Sequence, residues 1–356
     1  MTRFGIVGSG WRSEFFVRLA RQAPQRFTVV GVVTRSAERG AEVESAWGIP
    51  TYRAAAELVA IHQPDFVIAS VPWPATPQVT QELVELGAHV LAETPPAPDL
   101  EGLRTLWKRI GSSGRVQVAE QYTLMPAHAA RLKLVRDGVI GQPTSLQVSS
   151  THLYHAVSMI RHFLDVGFAE ARVSAQEFIA PLANPLTPQG WNGDDSAHDL
   201  ATTIATIDFG GRVGVYDFTD NQWWNPLRSR RIVVRGSNGE IADDTVVRLV
   251  DARTPVESRL SFRRAGIDLN LEGADLDHIS FDGKVVYRND FFGARFSEDD
   301  LAVAHLLAAM GAWCRGEGPP PYPLADGLQD HLISLAIGES VRTGTSVTTS
   351  REAWAS

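Results

Sequence analysis

The stretch Arg3-Phe4-Gly5-Ile6-Val7-Gly8-Ser9-Gly10-Trp11-Arg12-Ser13 decides the fold. Its apolar run, Phe4 to Val7, has the length and composition of a buried parallel strand, and Gly8 breaks it. From Phe15 the apolar residues switch to helical spacing through Phe16, Leu19 and Ala20. A helix entered this way points free backbone N–H groups and its positive dipole end at an anion. Gly8 permits the tight turn, and Gly10 removes the side chain that would block a phosphate. Ser13, small enough for close strand–helix packing, stands where the third glycine of the dinucleotide fingerprint falls. A plain βα turn is the competing reading. The position at the first strand-to-helix switch favours a cofactor diphosphate held by Gly8, Ser9, Gly10, Trp11 and Arg12.

Outward from this stretch the chain alternates. Phe27–Val33 is a second apolar run, followed by Thr34, Arg35 and Ser36. In a dinucleotide fold this strand end meets the adenine ribose, where an acidic residue binds the 2′-hydroxyl and repels a 2′-phosphate. No acid stands before Glu38, so the hydroxyls and guanidinium predict NADP ahead of NAD; a solvated Arg35 is the alternative. Ala37–Trp47 and Ala54–His62 read as helices, and Asp65–Ala69 as a strand running into Ser70-Val71-Pro72-Trp73-Pro74. Helix Thr76–Leu86, strand Ala88–Leu91, the turn Ala92-Glu93-Thr94-Pro95-Pro96, helix Leu100–Ile110 and strand Arg115–Ala119 complete the series. This alternation predicts a doubly wound parallel sheet, a Rossmann domain over residues 1–122. Ligands bind such sheets at the carboxyl ends of the strands, which places Pro72, Trp73, Glu93 and Thr94 at the cofactor as well.

Beyond Pro126 the pattern changes. Ala127–Asp137 reads as a helix, Thr144–Ser150 as a strand and His152–Leu164 as a helix with Val157, Ile160 and Leu164 on its apolar stripe. Strands follow at Ala201–Phe209, Val213–Phe218, Arg231–Arg235, Val246–Val250 and Lys284–Tyr287, with turn signals between them. Helices Glu298–Cys314 and Gly327–Arg342 close the chain. Strands without intervening helices predict a mostly antiparallel open sheet, giving an α+β domain over 123–356 for substrate binding and oligomerisation. The fold class is therefore α/β with a second α+β domain.

The 356 residues suit two domains, and 44% hydrophobic with 21% charged content is ordinary for a globular chain. A net charge of −8 argues against nucleic acid or an anionic membrane surface as partner. No apolar run reaches the ~18 residues that span a bilayer. The strand at the N-terminus leaves no room for a signal peptide, and one cysteine, Cys314, provides no disulfide framework or thiolate cluster. A reducing, cytoplasmic setting is expected.

Several stretches together resemble the glucose–fructose oxidoreductase / inositol dehydrogenase / MocA (Gfo/Idh/MocA) family. They are GIVGSGW, DFVIASVPWPAT, GAHVLAETP, YTLMPAHAARLKLVRDGVIGQP, YHAVSMIRHFL and AIGESVRTGTSV. The resemblance implies a Rossmann domain followed by an open-sheet domain, with a nicotinamide cofactor, NADP or NAD, in the cleft between them. It also implies sugar, sugar-derivative or cyclitol substrates in carbohydrate metabolism, and homodimers or homotetramers built through the open sheets. The family usually reads Glu-Lys-Pro where this chain has Glu93-Thr94-Pro95, so the usual proton-handling lysine is replaced by Thr94. The family's active-site histidine matches His155. Thr151 stands where an aspartate is often found four residues earlier, and Ser158 where another is frequent three residues later.

Hydride transfer at a carbinol needs a group that exchanges the hydroxyl proton, and histidine suits this because its ordinary pKa is about 6.5. His155, beside Tyr154 and His152 at a helix start, fits that role; a structural histidine at the domain junction is the alternative. His155 and His162 lie seven residues apart, ~10.5 Å along a helix, too far to share one metal ion, and no metal is expected. Trp223 and Trp224, flanked by Asn221, Gln222 and Asn225, suit a sugar's C–H face and hydroxyls, or equally core or interface packing. The reading is an NAD(P)-dependent oxidoreductase with a non-standard proton relay centred on His155. Its competitors are redox-assisted elimination or hydrolysis with a retained cofactor, and a catalytically inactive NAD(P)-binding regulatory protein.

Overall fold

In the computed structural model, which describes residues 1–267 and 273–355, the apolar runs of the first third become one six-stranded sheet. Its strands are β1 (Thr2–Val7), β2 (Phe27–Val33), β3 (Thr51–Tyr52), β4 (Phe66–Ala69), β5 (Val90–Ala92) and β6 (Val116–Val118). They stand in the order β3-β2-β1-β4-β5-β6, and each neighbouring pair is parallel. Parallel neighbours need crossovers. Helices α1 (Trp11–Gln22), α2 (Ala37–Trp47), α3 (Ala55–His62), α4 (Thr76–Glu85) and α5 (Leu100–Ile110) supply them. Helices on both faces explain why β4 and β5 are apolar without alternation, since every residue of both is buried. The strand order reverses between β1 and β4, which opens a crevice at their carboxyl ends.

The second sheet follows α6 (Pro126–Arg136), β7 (Pro143–Ser149) and α7 (Leu153–Leu164). After these come β8 (Arg172–Ala183), a short hairpin of β9 (Leu186–Thr187) and β10 (Gly190–Trp191), β11 (Ala197–Asp208) and β12 (Val213–Thr219). Then follow β13 (Arg231–Gly236), β14 (Gly239–Ala242), β15 (Thr245–Asp251), β16 (Thr254–Arg259), β17 (Ser261–Ala265), β18 (Asp275–Phe281) and β19 (Lys284–Arg288). Helices α8 (Glu298–Cys314) and α9 (Leu324–Thr343) and strand β20 (Val347–Thr348) end the chain. Nine strands form one sheet in the order β16-β15-β14-β13-β7-β12-β11-β8-β20, and β17-β18-β19 form a small separate one. In the large sheet β7 and β12 run parallel and the other pairs antiparallel.

Helices α7 and α9 pack on one face of this sheet and on each other. Opposite them Phe178, Ile204 and Val247 lie exposed. The closing helices also return to the first sheet. A Cβ at Gly311 of α8 would fall 2.3 Å from Thr2 Oγ1, and one at Gly327 of α9 would fall 2.6 Å from Val118 Cγ2. Glycine at these two positions lets α8 and α9 sit directly against β1 and β6. Strands β8, β14 and β16–β18 carry no clear signal in the sequence. β8 shows why: it contains Pro181, and its residues Gln176 to Ile179 are exposed on both faces, so no buried-exposed alternation marks its second half.

Candidate active site

The loops after β1, β2, β4, β5 and β6 all gather at the carboxyl edge of the parallel sheet. Gly8 has φ 118°, and a Cβ there would stand 1.9 Å from the Ser70 carbonyl oxygen. No side chain fits. At Gly10 a Cβ would meet nothing within 4 Å, so this glycine leaves open space in front of the helix. Gly10 is the N-cap of α1 and contributes no side-chain cap, which leaves first-turn N–H groups for an anion. Trp11 is exposed, while Arg12 turns inward and donates from Nε to Glu93 Oε1 at 2.8 Å. That pair joins the first helix to the turn Glu93-Thr94-Pro95, whose Thr94–Pro95 peptide is cis. Pro72 precedes a single 3₁₀ turn that carries Trp73, half exposed, on the same edge.

At the end of β2, Thr34 is buried and its hydroxyl donates to the Ser36 carbonyl at 3.2 Å. Ser36 Oγ accepts from Arg39 N as the N-cap of α2. The two hydroxyls are therefore engaged in local structure, and the guanidiniums define this corner. Arg35 is exposed. Arg39 donates to Ser9 Oγ at 3.0 Å and Ser9 O at 2.6 Å, bridging the first and second loops. Arg53 donates to the carbonyls of Thr34, at 3.0 Å, and of Ser36. Arg39 and Arg53 carry no motif, and folding alone brings them here.

The start of α7 lies against this edge. Leu153 has φ 40°, a left-handed conformation costly for a branched side chain, and it sets the directions of His152 and Tyr154 on either side. His155 Nδ1 stands 2.5 Å from Glu120 Oε2, with both side chains buried. Glu120 follows β6, and its other oxygen accepts from Tyr122 N at 2.9 Å. Burial pushes the Glu120 carboxyl up to about 8 and holds His155 down to about 3. Near neutral pH Glu120 therefore keeps its proton and donates it to Nδ1, so the ring proton lies on Nε2. No other hydrogen bond to this ring is made among the described residues.

Aromatic rings surround the dyad. Tyr122 and Tyr154 lie 4.6 and 4.5 Å from the His155 ring, and His152 lies 5.0 Å away. Tyr154 faces Thr94 and Trp73, and burial raises its phenol. Trp223 meets His152 edge-on at 4.8 Å, whereas Trp224 is 43% exposed. The neighbouring amides serve the loop itself. Gln222 donates to the carbonyls of Ser149 and Ser229 at 2.8 and 2.9 Å, and Asn225 donates to the Ala183 carbonyl. Neither amide is available for substrate hydroxyls. Neighbouring residues supply polar atoms instead: Ser150 Oγ and His152 Nδ1 are buried without a hydrogen-bond partner, and the Thr151 hydroxyl between them lies beside the Tyr122 phenol. Unpaired buried polar atoms are costly, and a polyhydroxylated ligand would satisfy them.

The sequence matches the pattern of the Gfo/Idh/MocA group, described as an oxidoreductase family with an NAD-binding Rossmann fold, over residues 2–121. Residues 2–121 belong to the Gfo/Idh/MocA oxidoreductase family. The whole chain shares its fold with solved structures at low identity. An NAD-binding oxidoreductase from Klebsiella pneumoniae is 16% identical, with a TM-score of 0.68 over 99% of this chain and 100% of that one. A myo-inositol dehydrogenase from Corynebacterium glutamicum is 18% identical, with a TM-score of 0.65 over 98% of each chain. The WlbA dehydrogenase from Bordetella pertussis, solved with NADH and UDP-GlcNAcA, is 17% identical, with a TM-score of 0.64 over 98% of each. A sequence comparison with curated proteins finds no significant match.

The residues of this Gfo/Idh/MocA domain fit a dinucleotide. Gly8 and Gly10 leave a cradle that a Cβ would fill or obstruct, and the uncapped start of α1 faces it. Gly8–Arg12 would hold the diphosphate, Arg35 and Arg39 the adenosine end, and Pro72, Trp73, Glu93 and Thr94 the nicotinamide end. Glu120 is the residue that sequence reading missed. It lies in an unremarkable Ala-Glu-Gln, and its partner His155 is 35 residues away.

Proposed function

We propose that this chain is an NAD(P)-dependent oxidoreductase acting on a hydroxyl-bearing carbon of a sugar, sugar derivative or cyclitol, with NADP preferred. The 2.5 Å contact between His155 Nδ1 and Glu120 Oε2 carries this reading. A bound nicotinamide would supply the hydride acceptor or donor. The protein handles the proton. With Glu120 protonated and Nε2–H in place, His155 donates to a carbonyl oxygen as Glu120 returns a proton to Nδ1. Loss of that proton from the dyad leaves Nδ1–H on the Glu120 carboxylate and a bare Nε2, which accepts the proton of an alcohol. Thr94 orients Tyr154 where the family's lysine would stand, so proton exchange falls to the dyad. Ser150, Thr151 and His152 supply hydrogen bonds to the remaining hydroxyls, and Trp223 packs beside them.

The exposed Phe178 and Ile204, on the sheet face away from the helices, support a homodimer or homotetramer joined through the open sheet. No helix among the described residues is long and apolar enough to cross a membrane. With one cysteine in the chain, we place the activity in the cytoplasm. A panel of sugars, sugar acids and cyclitols, assayed with NAD⁺ and NADP⁺ by nicotinamide absorbance, tests the reading. Reduced cofactor formed in step with oxidised polyol supports it. Polyol conversion without net reduction favours elimination or hydrolysis, and ligand binding without conversion favours a regulatory protein.

A further inference from the structure

The loop after β12 contains a guanidinium that the proposed reaction leaves without a task. Gln222, 3% exposed, ties both ends of this loop to β7: Nε2 donates to Ser149 O and Ser229 O, and Oε1 accepts from Thr219 N at 3.0 Å. Ser229 precedes Arg230, and Ser149 precedes the buried polar stretch Ser150-Thr151-His152. The same buried amide therefore fixes Arg230 and the hydroxyl-reading stretch relative to one another. Arg230 Nη2 donates to the Trp223 carbonyl at 2.7 Å, and the Trp223 ring packs on His152. Its charge also acts on the Tyr122 phenol, whose ring lies on His155.

Arg230 has no carboxylate within 4 Å among the described residues; Arg228 has none either, but it bonds the adjacent Leu227 carbonyl and not the residue that packs on His152. Arg12 pairs with Glu93, and Arg231 lies 3.4 Å from Asp217. Thr94 contributes no charge. A guanidinium presents five N–H donors in a planar fork that matches a carboxylate or a phosphate. One of them is anchored here to a backbone carbonyl, which limits the freedom lost when the others engage a ligand.

We propose that Arg230 reads an anionic oxygen group on the substrate, so that the preferred substrate is an acidic polyol, a sugar acid or a sugar phosphate, rather than a neutral sugar. The inference rests on the polyol oxidoreductase reading and names its substrate class. Hydride and proton leave the carbinol as described above, and the anionic group takes no part in the bond changes. It docks at Arg230 while hydroxyls meet Ser150, Thr151 and His152.

The test compares glucuronate, glucose 6-phosphate and glucose, by turnover and by calorimetric titration of the cofactor-loaded protein. The wild type should favour at least one acid over glucose by about 10–100-fold in kcat/KM or in binding constant, the range of one or two charge-assisted bonds. Which acid gains separates carboxylate from phosphate recognition. Arg230→Ala should abolish that preference through KM, Arg230→Lys should restore part of it, and Arg231→Ala should keep it. Higher salt should erode it. Equal use of glucose by the wild type, or an undiminished preference in Arg230→Ala, overturns the inference. Arg230-dependent acid binding with no hydride transfer would uphold it and overturn the oxidoreductase reading. Dissociation of the oligomer in Arg230→Ala with unchanged acid preference assigns the residue to an interface instead.

Discussion

His155 Nδ1 and Glu120 Oε2 lie 2.5 Å apart, although one side chain comes from the first turn of α7 and the other from the end of the last parallel strand. The contact joins the two sheets at the point where chemistry is proposed, and it dictates a pH dependence. Burial keeps Glu120 protonated up to about 8. Below that pH the dyad holds Nε2–H, which suits carbonyl reduction; above it the dyad has lost a proton and Nε2 accepts one. Alcohol oxidation should therefore rise, and carbonyl reduction fall, as pH passes through about 8. His155→Ala should lower kcat by ~10²–10⁴-fold with cofactor affinity unchanged. Glu120→Gln, which keeps an acceptor for Tyr122 N–H, should remove the ionisation near 8 from the pH–rate profile. A profile unchanged by either variant places the proton elsewhere.

Thr94→Lys probes the same dyad from the opposite side of the cleft. Thr94 and Glu120 line one small cavity with Tyr154, so an ammonium at residue 94 favours the ionised carboxyl. The oxidation profile should move to lower pH, raising turnover severalfold at pH 7. A lower kcat at every pH would show that this chain's relay excludes the family's lysine.

Cofactor choice should follow the guanidiniums at the end of β2. A charge-assisted bond to a 2′-phosphate contributes about 1.5–3 kcal/mol, at least a tenfold bias toward NADP(H). Arg35→Ala should reduce that bias in a fluorescence titration of both cofactors. Arg39→Ala should weaken both, because Arg39 also holds Ser9 in the phosphate loop. Tighter binding of NAD(H) by the wild type refutes the preference.

The two tryptophans should separate cleanly. Trp223 packs on His152 and on Phe218, 4.8 and 4.6 Å between ring centres, whereas Trp224 is 43% exposed. Trp223→Ala should raise the substrate KM severalfold, consistent with the ~0.5–1.5 kcal/mol of one aromatic contact, and leave cofactor binding alone. Trp224→Ala should leave KM unchanged. The reverse pattern would move the substrate to the outer face of this loop.

Acid should destabilise the fold through a histidine outside the His155–Glu120 dyad. His128 is buried, its Nδ1 accepts from Arg131 Nη1 at 3.0 Å, and burial together with the Arg131 charge holds it down to about 3. Its folded pKa lies below the unfolded value, so unfolding takes up a proton between about 6.5 and about 3. The stability contributed by the neutral ring is complete above that window and is lost as pH falls through it. Thermal midpoints measured from pH 7 to 4 should drop less steeply in His128→Gln, which keeps an acceptor for Arg131. An equal slope would assign the acid limb to other groups.

Local order alone determined much of this protein. The strand–glycine–helix stretch at Gly8 and Gly10, the βα alternation after it and the closing helix Glu298–Cys314 follow from periodicity and turn chemistry. Those signals act between residues close in the chain. Long-range packing decided the rest. β8 is half-exposed and interrupted by Pro181, so only its pairing with β11 and β20 defines it. Glu120 becomes a partner of His155 because α7 docks across the end of β6, and burial there, not residue type, sets the ionisation of both. In the sequence Gln222 and Asn225 suit sugar hydroxyls or packing equally. In the fold their amides satisfy backbone carbonyls, because a buried loop must pair those groups before any ligand can. Arg39 joins the first loop, and Trp223, whose carbonyl Arg230 holds, comes against His152, through tertiary contacts that no spacing encodes. Position along the chain identified the cofactor edge; only the docking of the second sheet determined which side chains face it.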